Sequence, residues 1–271
     1  MCGTCGCSDA PGEGGTHAHD HDHGHSHETG RGRFVFASRG RVRVKIERNV
    51  LEKNDQGAAT NRLWLRKRRI VAINVVSAPG AGKTTLLERT IRDRGAQLGI
   101  SVIEGDQATD NDAARIRAAG ARAIQINTGA GCHLDAPMVL GALEELFPED
   151  GSTVLIENVG NLVCPALFDL GEASRVVVAS VTEGDDKPIK YPHMFRSSDV
   201  MVLNKIDLAP YVSFDVDRCI AHARSLNPRI RVFTVSATRG DGLDAWYDWL
   251  DSQRSASANT TDAAHDTRVS P

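Results

Sequence analysis

Between residues 70 and 250 the chain alternates short apolar runs with longer stretches of helical spacing. Runs at 70–76, 100–104, 123–126, 153–157, 175–180, 200–203 and 230–235 are apolar and, in most cases, β-branched. They are too short for helices and read as strands buried on both faces. Segments at 84–94, 111–119, a stretch ending at Leu146, and 212–225 read as the helices between them. A last helix at 241–250 turns Leu243, Trp246, Trp249 and Leu250 to the core. Strands alternating with helices predict an α/β fold, with a mostly parallel sheet covered by helices on both faces. No internal repeat is present.

The flanks follow different patterns. Residues 8–30 are mostly Gly, Asp, His and Ser, with no apolar side chain larger than alanine apart from Pro11. Nothing there offsets the entropy of ordering, so disorder is expected. In 33–69 a short alternating stretch, Val42 to Ile46, precedes a basic amphipathic helix at 49–69 around Val50, Leu51, Leu63 and Leu65. Asn-Asp-Gln-Gly at 54–57 is where that helix would break. Residues 251–271 are polar and are expected to fray. The organisation is thus a tail (1–30), a basic linker and helix (31–69), a domain at 70–250 and a flexible C-terminus (251–271).

Charge changes this picture only locally. The net charge is −3, yet residues 1–30 hold five acids and no Lys or Arg, while 31–69 hold thirteen bases and three acids. The basic stretch lacks the interleaved aromatics that single-stranded nucleic acid would need, so it reads as a solvated helix face rather than a nucleic-acid site. No apolar run approaches the roughly 18 residues of a membrane span. The N-terminus has neither a basic nor an apolar signal region. Three of six cysteines crowd the N-terminus and three are scattered, which is not a disulfide framework; a reducing, cytoplasmic setting is expected.

Ser77-Ala-Pro-Gly80-Ala81-Gly82-Lys83-Thr84, followed by Thr85, joins the first strand to a helix. This is a nucleotide phosphate loop with Ser77 at the first glycine position. Backbone N–H groups and the helix N-terminus face the phosphates, Lys83 reaches the β- and γ-phosphates, and Thr84 can hold Mg²⁺. Asn204-Lys205-Ile206-Asp207 follows a late strand, where Asp207 can accept from the guanine N1–H and 2-amino group. Asn204 supports that loop, and the stem of Lys205 lies over the base. Ser236 and Ala237 follow the next strand and are expected to offer backbone N–H to the guanine oxygen. Adenine would leave the carboxylate unpaired, at a cost of about 1–3 kcal/mol, so GTP is predicted. Carboxylates at the ends of parallel strands face the nucleotide. Asp106 is the leading Mg²⁺ ligand and Glu157 the second metal partner or water positioner. Thr109 and Asp112 follow Asp106, and Gly160 is placed to follow the γ-phosphate. No His or Gln stands out as a base, so slow hydrolysis by positioning and electrostatics is expected.

Two groups of metal donors stand apart. Cys132-His133 and Cys164 lie in loops after the third and fourth strands, at the nucleotide edge, and Cys164 is seven residues past Glu157. Two thiolates and an imidazole suit Zn²⁺ or Ni²⁺. The Gly-Ala-Gly before Cys132 and the Pro after Cys164 suggest exposed loops, and a two-fold dimer could bring two copies together. Cys2, Cys5 and Cys7 form a thiolate-rich set suited to tight binding. His17, His19, His21, His23, His25 and His27 offer weaker, equivalent sites for capture or storage. Cys219 and His222, three apart, read as a core thiol and its neighbour.

With these residues in view the chain resembles the HypB family of GTPases, which help to insert nickel into [NiFe]-hydrogenase. The resemblance covers the tail and 70–250 and rests on specific motifs. These are Cys-Gly-x-Cys-Gly-Cys with Thr4 inside it, the phosphate loop, Glu-Gly-Asp-Gln-Ala-Thr-Asp-Asn-Asp-Ala, Gly-Cys-His-Leu-Asp, Glu-Asn-Val-Gly-Asn-Leu-Val-Cys-Pro, Asp-Lys-Pro-x-Lys-Tyr-Pro and Asn-Lys-Ile-Asp. It implies a dimerising P-loop GTPase of the class that includes signal-recognition GTPases. In the family, Cys2, Cys5 and Cys7 match a tight nickel site. Cys132, His133 and Cys164 match a second site at the dimer interface for nickel or zinc, and Asp106 and Glu157 match the Mg²⁺ and switch acids. The implied partners are a small nickel and zinc metallochaperone and the hydrogenase large-subunit precursor. A passive nickel or zinc store, or the same kind of GTPase serving urease or another nickel enzyme, remains an alternative.

Overall fold

The computed structural model describes residues 37–106, 111–129 and 131–266, with the backbone alone for 37–48 and 258–266. The chain divides into two units, 1–50 and 51–271. The described part of the first is the start of one helix, α1 (Ala37–Lys67).

In the second unit, β1 (Val71–Ser77), β2 (Ile100–Asp106), β3 (Arg122–Asn127), β4 (Thr153–Glu157), β5 (Ser174–Ser180), β6 (Val200–Asn204) and β7 (Arg231–Thr234) form one seven-stranded sheet. Its order is β3-β2-β4-β1-β5-β6-β7 and every pairing is parallel. All seven expected strands are present; β1, β2, β4, β5 and β6 are central and buried on both faces, whereas the edge strands β3 and β7 are only partly buried.

One face is covered by α2 (Lys83–Leu98), α3 (Asn111–Ala118) and α8 (Leu243–Asp266). They pack Leu86, Leu87, Ile91, Ile116, Trp246 and Trp249 over Ile73 and Val75. The opposite face divides in two. Beside β2 and β4, α4 (Ala136–Leu146) sets Val139, Leu143 and Leu146 with Leu65 of α1. Beside β5 and β6, α5 (Lys187–Lys190), α6 (Pro192–Ser197) and α7 (Val216–Leu226) surround Met194, Phe195 and Cys219. Burial pushes the Cys219 thiol up to about 12, as befits a core thiol rather than a ligand.

Two expectations are corrected. The helix at 49–69 is real, but it begins earlier, takes in 42–46, and runs unbroken through 54–57. Its buried stripe is not Val50 and Leu63, which are 50% and 69% exposed, but Asn54, Ala58, Asn61 and Leu65. Asn54 donates to the Asp169 carbonyl at 2.8 Å and accepts from the Ala136 N–H at 2.9 Å. Asn61 donates to the carbonyls of Ala136 and Leu170 at 2.9 and 2.8 Å. A Cβ at Gly57 would meet Ala136 and Pro137 at 3.2 Å, so the residues that read as a breaker are a close helix contact. At the other end, α8 continues past Leu250 to Asp266. Arg254 there donates to the carbonyls of Gly151 and Gln97, which holds a polar segment that apolar pattern alone would let fray.

Candidate nucleotide and metal site

All strands point one way, so the carboxyl ends of β1, β2, β4 and β6 open on one edge. Register sets Glu104 beside Glu157 and Asp106 beside Asn127. A cleft of about 570 Å³ lies along this edge, lined by the phosphate loop, Glu104, Asp106, Asp112, Arg115, Gly160 and Lys205.

The phosphate loop and the Asn204–Asp207 loop are built as one piece. Gly82 stands before α2 with φ +90°, and a Cβ there would lie 2.5 Å from Asn204 Nδ2. Only glycine permits both the conformation and the approach. Asn204 is buried; its Nδ2 donates to the Ala81 and Gly82 carbonyls at 3.1 and 3.4 Å, and its Oδ1 accepts from the N–H of Lys205 and Ala237 at 2.8 and 3.1 Å. Lys205 Nζ reaches the Gly80 carbonyl at 2.7 Å. Asp207 keeps one buried oxygen without a hydrogen-bond partner, an acceptor suited to a guanine edge. The expectation for Ser236 and Ala237 changes. The Ser236 N–H is given to the Asp241 carbonyl at 2.9 Å and the Ala237 N–H to Asn204, so both amides are committed to shaping the loop.

At the phosphate end, Lys83 Nζ and Thr84 Oγ1 both donate to Glu157 Oε1 at 2.5 Å. The other Glu157 oxygen and Glu104 Oε2 are buried without partners. Glu104 was not among the expected site residues, although alternation along β2 puts it on the same side as Asp106. Burial, then the charge of Glu157, pushes its carboxyl up to about 8. Two buried carboxylates beside Thr84 and Asp106 form a donor set that fits a hard divalent cation such as Mg²⁺. Arg115 was also missed. It grips Glu88 through two bonds of 3.2 and 3.0 Å and meets Asp112 and Thr85, fastening α3 to α2 beside the phosphates.

The structure brings Cys132, His133 and Cys164 together. The two Sγ atoms lie 2.8 Å apart, Cys132 Sγ is 3.7 Å from His133 Nδ1, and all three donor atoms fall within 4.8 Å of one another. Cys164 opens a 3₁₀ turn (Cys164–Leu167) and is itself only 5% exposed, whereas Val163 and Leu167 on either side of it are exposed. The His133 ring stacks on Phe168 with centroids 3.9 Å apart. Burial lowers its pKa and so favours the neutral, ligating imidazole, with Asp135 opposing. Phe168 carries no sequence signal for this role. Asn161 Nδ2 touches the Cys132 carbonyl at 3.5 Å and its Oδ1 accepts from Val163 N–H at 2.8 Å, tying the two ligand loops together. Cys2, Cys5, Cys7, the six tail histidines and Thr109 lie outside the described residues.

The family described as "CobW/HypB/UreG, nucleotide-binding domain" matches residues 71–234. The hydrogenase maturation factor HypB of Rhizobium leguminosarum bv. viciae is 60% identical over 207 residues, covering 76% of this chain and 69% of the relative. The chain belongs to the HypB family. Two solved HypB structures share its fold. That of Archaeoglobus fulgidus has a TM-score of 0.70 at 43% identity, over 75% of this chain and 99% of that one. HypB of Helicobacter pylori, solved in complex with nickel, has a TM-score of 0.70 at 37% identity, over 75% of this chain and 96% of that one. As a HypB-family protein the chain is a P-loop GTPase. No helix among the described residues is long and apolar enough to cross a membrane.

Proposed function

We propose that this protein is a cytoplasmic, GTP-hydrolysing nickel metallochaperone that helps to load nickel into the [NiFe]-hydrogenase large-subunit precursor. The observation that carries this reading is the placement of two thiols and an imidazole within 4.8 Å, on loops continuous with the nucleotide edge of the sheet. Gly80, Ala81, Gly82, Lys83, Thr84 and Thr85 cradle the phosphates. Asn204, Lys205 and Asp207 read the base, with Ser236 and Ala237 shaping that loop. Thr84 and Asp106 hold Mg²⁺, which neutralises phosphate charge. Glu157, whose Oε1 accepts from Lys83 Nζ and Thr84 Oγ1, is a second metal partner or positions water.

Cys132, His133 and Cys164 take Ni²⁺ or Zn²⁺ as exchangeable cargo. Val163 and Leu167, exposed apolar residues flanking Cys164, support a homodimer that meets at this site. Cys2, Cys5 and Cys7 form the tight nickel site and His17, His19, His21, His23, His25 and His27 collect metal. A small nickel and zinc metallochaperone and the large-subunit precursor are the partners.

The test has two arms. Purified protein should hydrolyse GTP and change its core-site Ni²⁺ affinity between GDP and a non-hydrolysable GTP analogue; a passive store would do neither. A strain lacking the gene should make large subunit without nickel. Nickel-replete hydrogenase together with nickel-depleted urease would overturn the assignment of acceptor.

A further inference from the structure

Strand β1 carries a residue that an apolar core does not call for. Asn74 lies at its centre, fully buried, on the face where Ala72 and Val76 belong to two separate apolar clusters. Its carboxamide is paired on both sides. Oδ1 accepts from Asn158 Nδ2 at 3.3 Å, and Nδ2 donates to Glu172 Oε1 at 3.1 Å.

Each partner leads to one half of the thiol and imidazole cluster. Asn158 follows Glu157, and its Oδ1 accepts from the N–H of Leu134, two residues beyond Cys132, at 3.3 Å, and from Val159 N–H at 3.0 Å. On the other side, Glu172 Oε1 accepts from Arg175 Nε and Nη2 at 3.1 and 2.9 Å. Arg175 in turn donates to the carbonyls of Phe168 and Ala166 at 2.7 and 3.3 Å, in and just after the turn that Cys164 opens. The polar chain therefore starts at the Cys132 loop, passes through the residue after Glu157, crosses the sheet at Asn74, and ends on the Cys164 turn. Its charged end is the stronger one, since ionised partners make tighter hydrogen bonds. The links at Asn158 are neutral and long. Motion of the Glu157–Gly160 segment would be felt first at the Asn158–Asn74 bond, while Arg175 keeps the Cys164 turn fixed.

We propose that Asn74 is a positioning residue that couples the nucleotide state to the spacing of the Cys132, His133 and Cys164 donors. The proposal rests on the reading of that trio as a metal site governed by nucleotide. By linkage, nucleotide and metal must alter one another's affinity by the same factor, and such factors are commonly about 5–150-fold. Asn74 sets that factor without touching either ligand.

The experiment uses the full chain with Cys2, Cys5 and Cys7 changed to Ser, so that Ni²⁺ reports the core site. Ni²⁺ affinity is measured with GDP and with a non-hydrolysable GTP analogue, and the ratio is compared in the parent, Asn74→Leu and Arg175→Lys. Leu matches Asn in shape without its polar atoms. Lys keeps the charge beside Glu172, but one ammonium cannot also hold both carbonyls. The expected result is a parent ratio well above one, falling to within about twofold of one in both variants, with GDP affinity retained. A variant that melts lower yet keeps the parent ratio shows a merely structural role and overturns the proposal, while the metal-switch reading stands. A parent ratio of one overturns both. If Asn74→Leu does not fold, the ratio of Arg175→Lys decides.

Discussion

Truncating Asn204 to Ala tests whether the base-reading and phosphate loops are one structure. The buried side chain makes four hydrogen bonds, two to carbonyls of Ala81 and Gly82 and two from the N–H of Lys205 and Ala237. Each is worth about 1 kcal/mol net, and a buried group left unpaired costs about 1–3 kcal/mol. Water entering the gap would recover part of this, so the expected loss of stability is about 3–5 kcal/mol. For a domain of this size that corresponds to a melting temperature lowered by roughly 6–20 °C. GTP should bind at least about tenfold more weakly, equivalent to about 1.4 kcal/mol, because residues 205–207 lose their hold on the phosphate loop. Urea unfolding without nucleotide gives the stability, and a fluorescent GTP analogue gives the affinity. Asn204→Asp, which keeps the acceptor and loses the donor, should fall between. If Asn204→Ala unfolds within about 0.5 kcal/mol of the parent, the range of ordinary surface substitutions, and binds GTP equally well, the two loops are not joined as described.

Asp207→Asn should weaken GTP by about 1–3 kcal/mol and admit xanthosine triphosphate, whose 2-oxo group needs a donor; a competition assay checks both. Glu104 has its folded pKa raised from 4.5 to about 8, so in that window the folded state holds a proton that the unfolded state has lost. Stability of the nucleotide- and Mg²⁺-free protein should fall as pH rises from about 4.5 to about 8 and level above that, and Glu104→Gln should flatten this contribution in urea unfolding at stepped pH. Cys132→Ser or Cys164→Ser should remove thiolate-to-nickel charge-transfer absorption at the core site, whereas Cys219→Ser should leave it unchanged, because that thiol is buried and held protonated. Removing Cys2, Cys5 and Cys7 should abolish the tightest Ni²⁺ site with GTP turnover retained; a parallel titration and phosphate-release assay would expose any dependence of turnover on the tail.

The sequence alone carried the architecture, because burial on both faces leaves a direct trace. Val and Ile runs separated by helical segments can be satisfied only by a parallel sheet between helix layers, and β4 came out at its observed limits. It also carried the nucleotide chemistry. The motifs proposed to read phosphate and guanine could be placed because they sit at positions fixed relative to strands, with Gly82 where only glycine tolerates φ +90° and the close approach of Asn204. Tertiary structure decided what depends on side chains distant in sequence. Cys132 and Cys164 share a cluster because their parent strands β3 and β4 both run parallel to β2 between them, so the loops that follow open at one edge. Asn54 and Asn61 bury a polar stripe because carbonyl and amide groups of the 136 and 169–170 segments meet them. Ser236 and Ala237 lost their expected amides to Asp241 and Asn204, a competition invisible along the chain. Asn74, Glu104, Arg115 and Phe168 gain their roles from partners 27 to 98 positions away, from Glu88 for Arg115 to Glu172 for Asn74. A one-dimensional pattern records how often a residue type is buried, whereas a polar residue in the core is explained only by the atom that it faces.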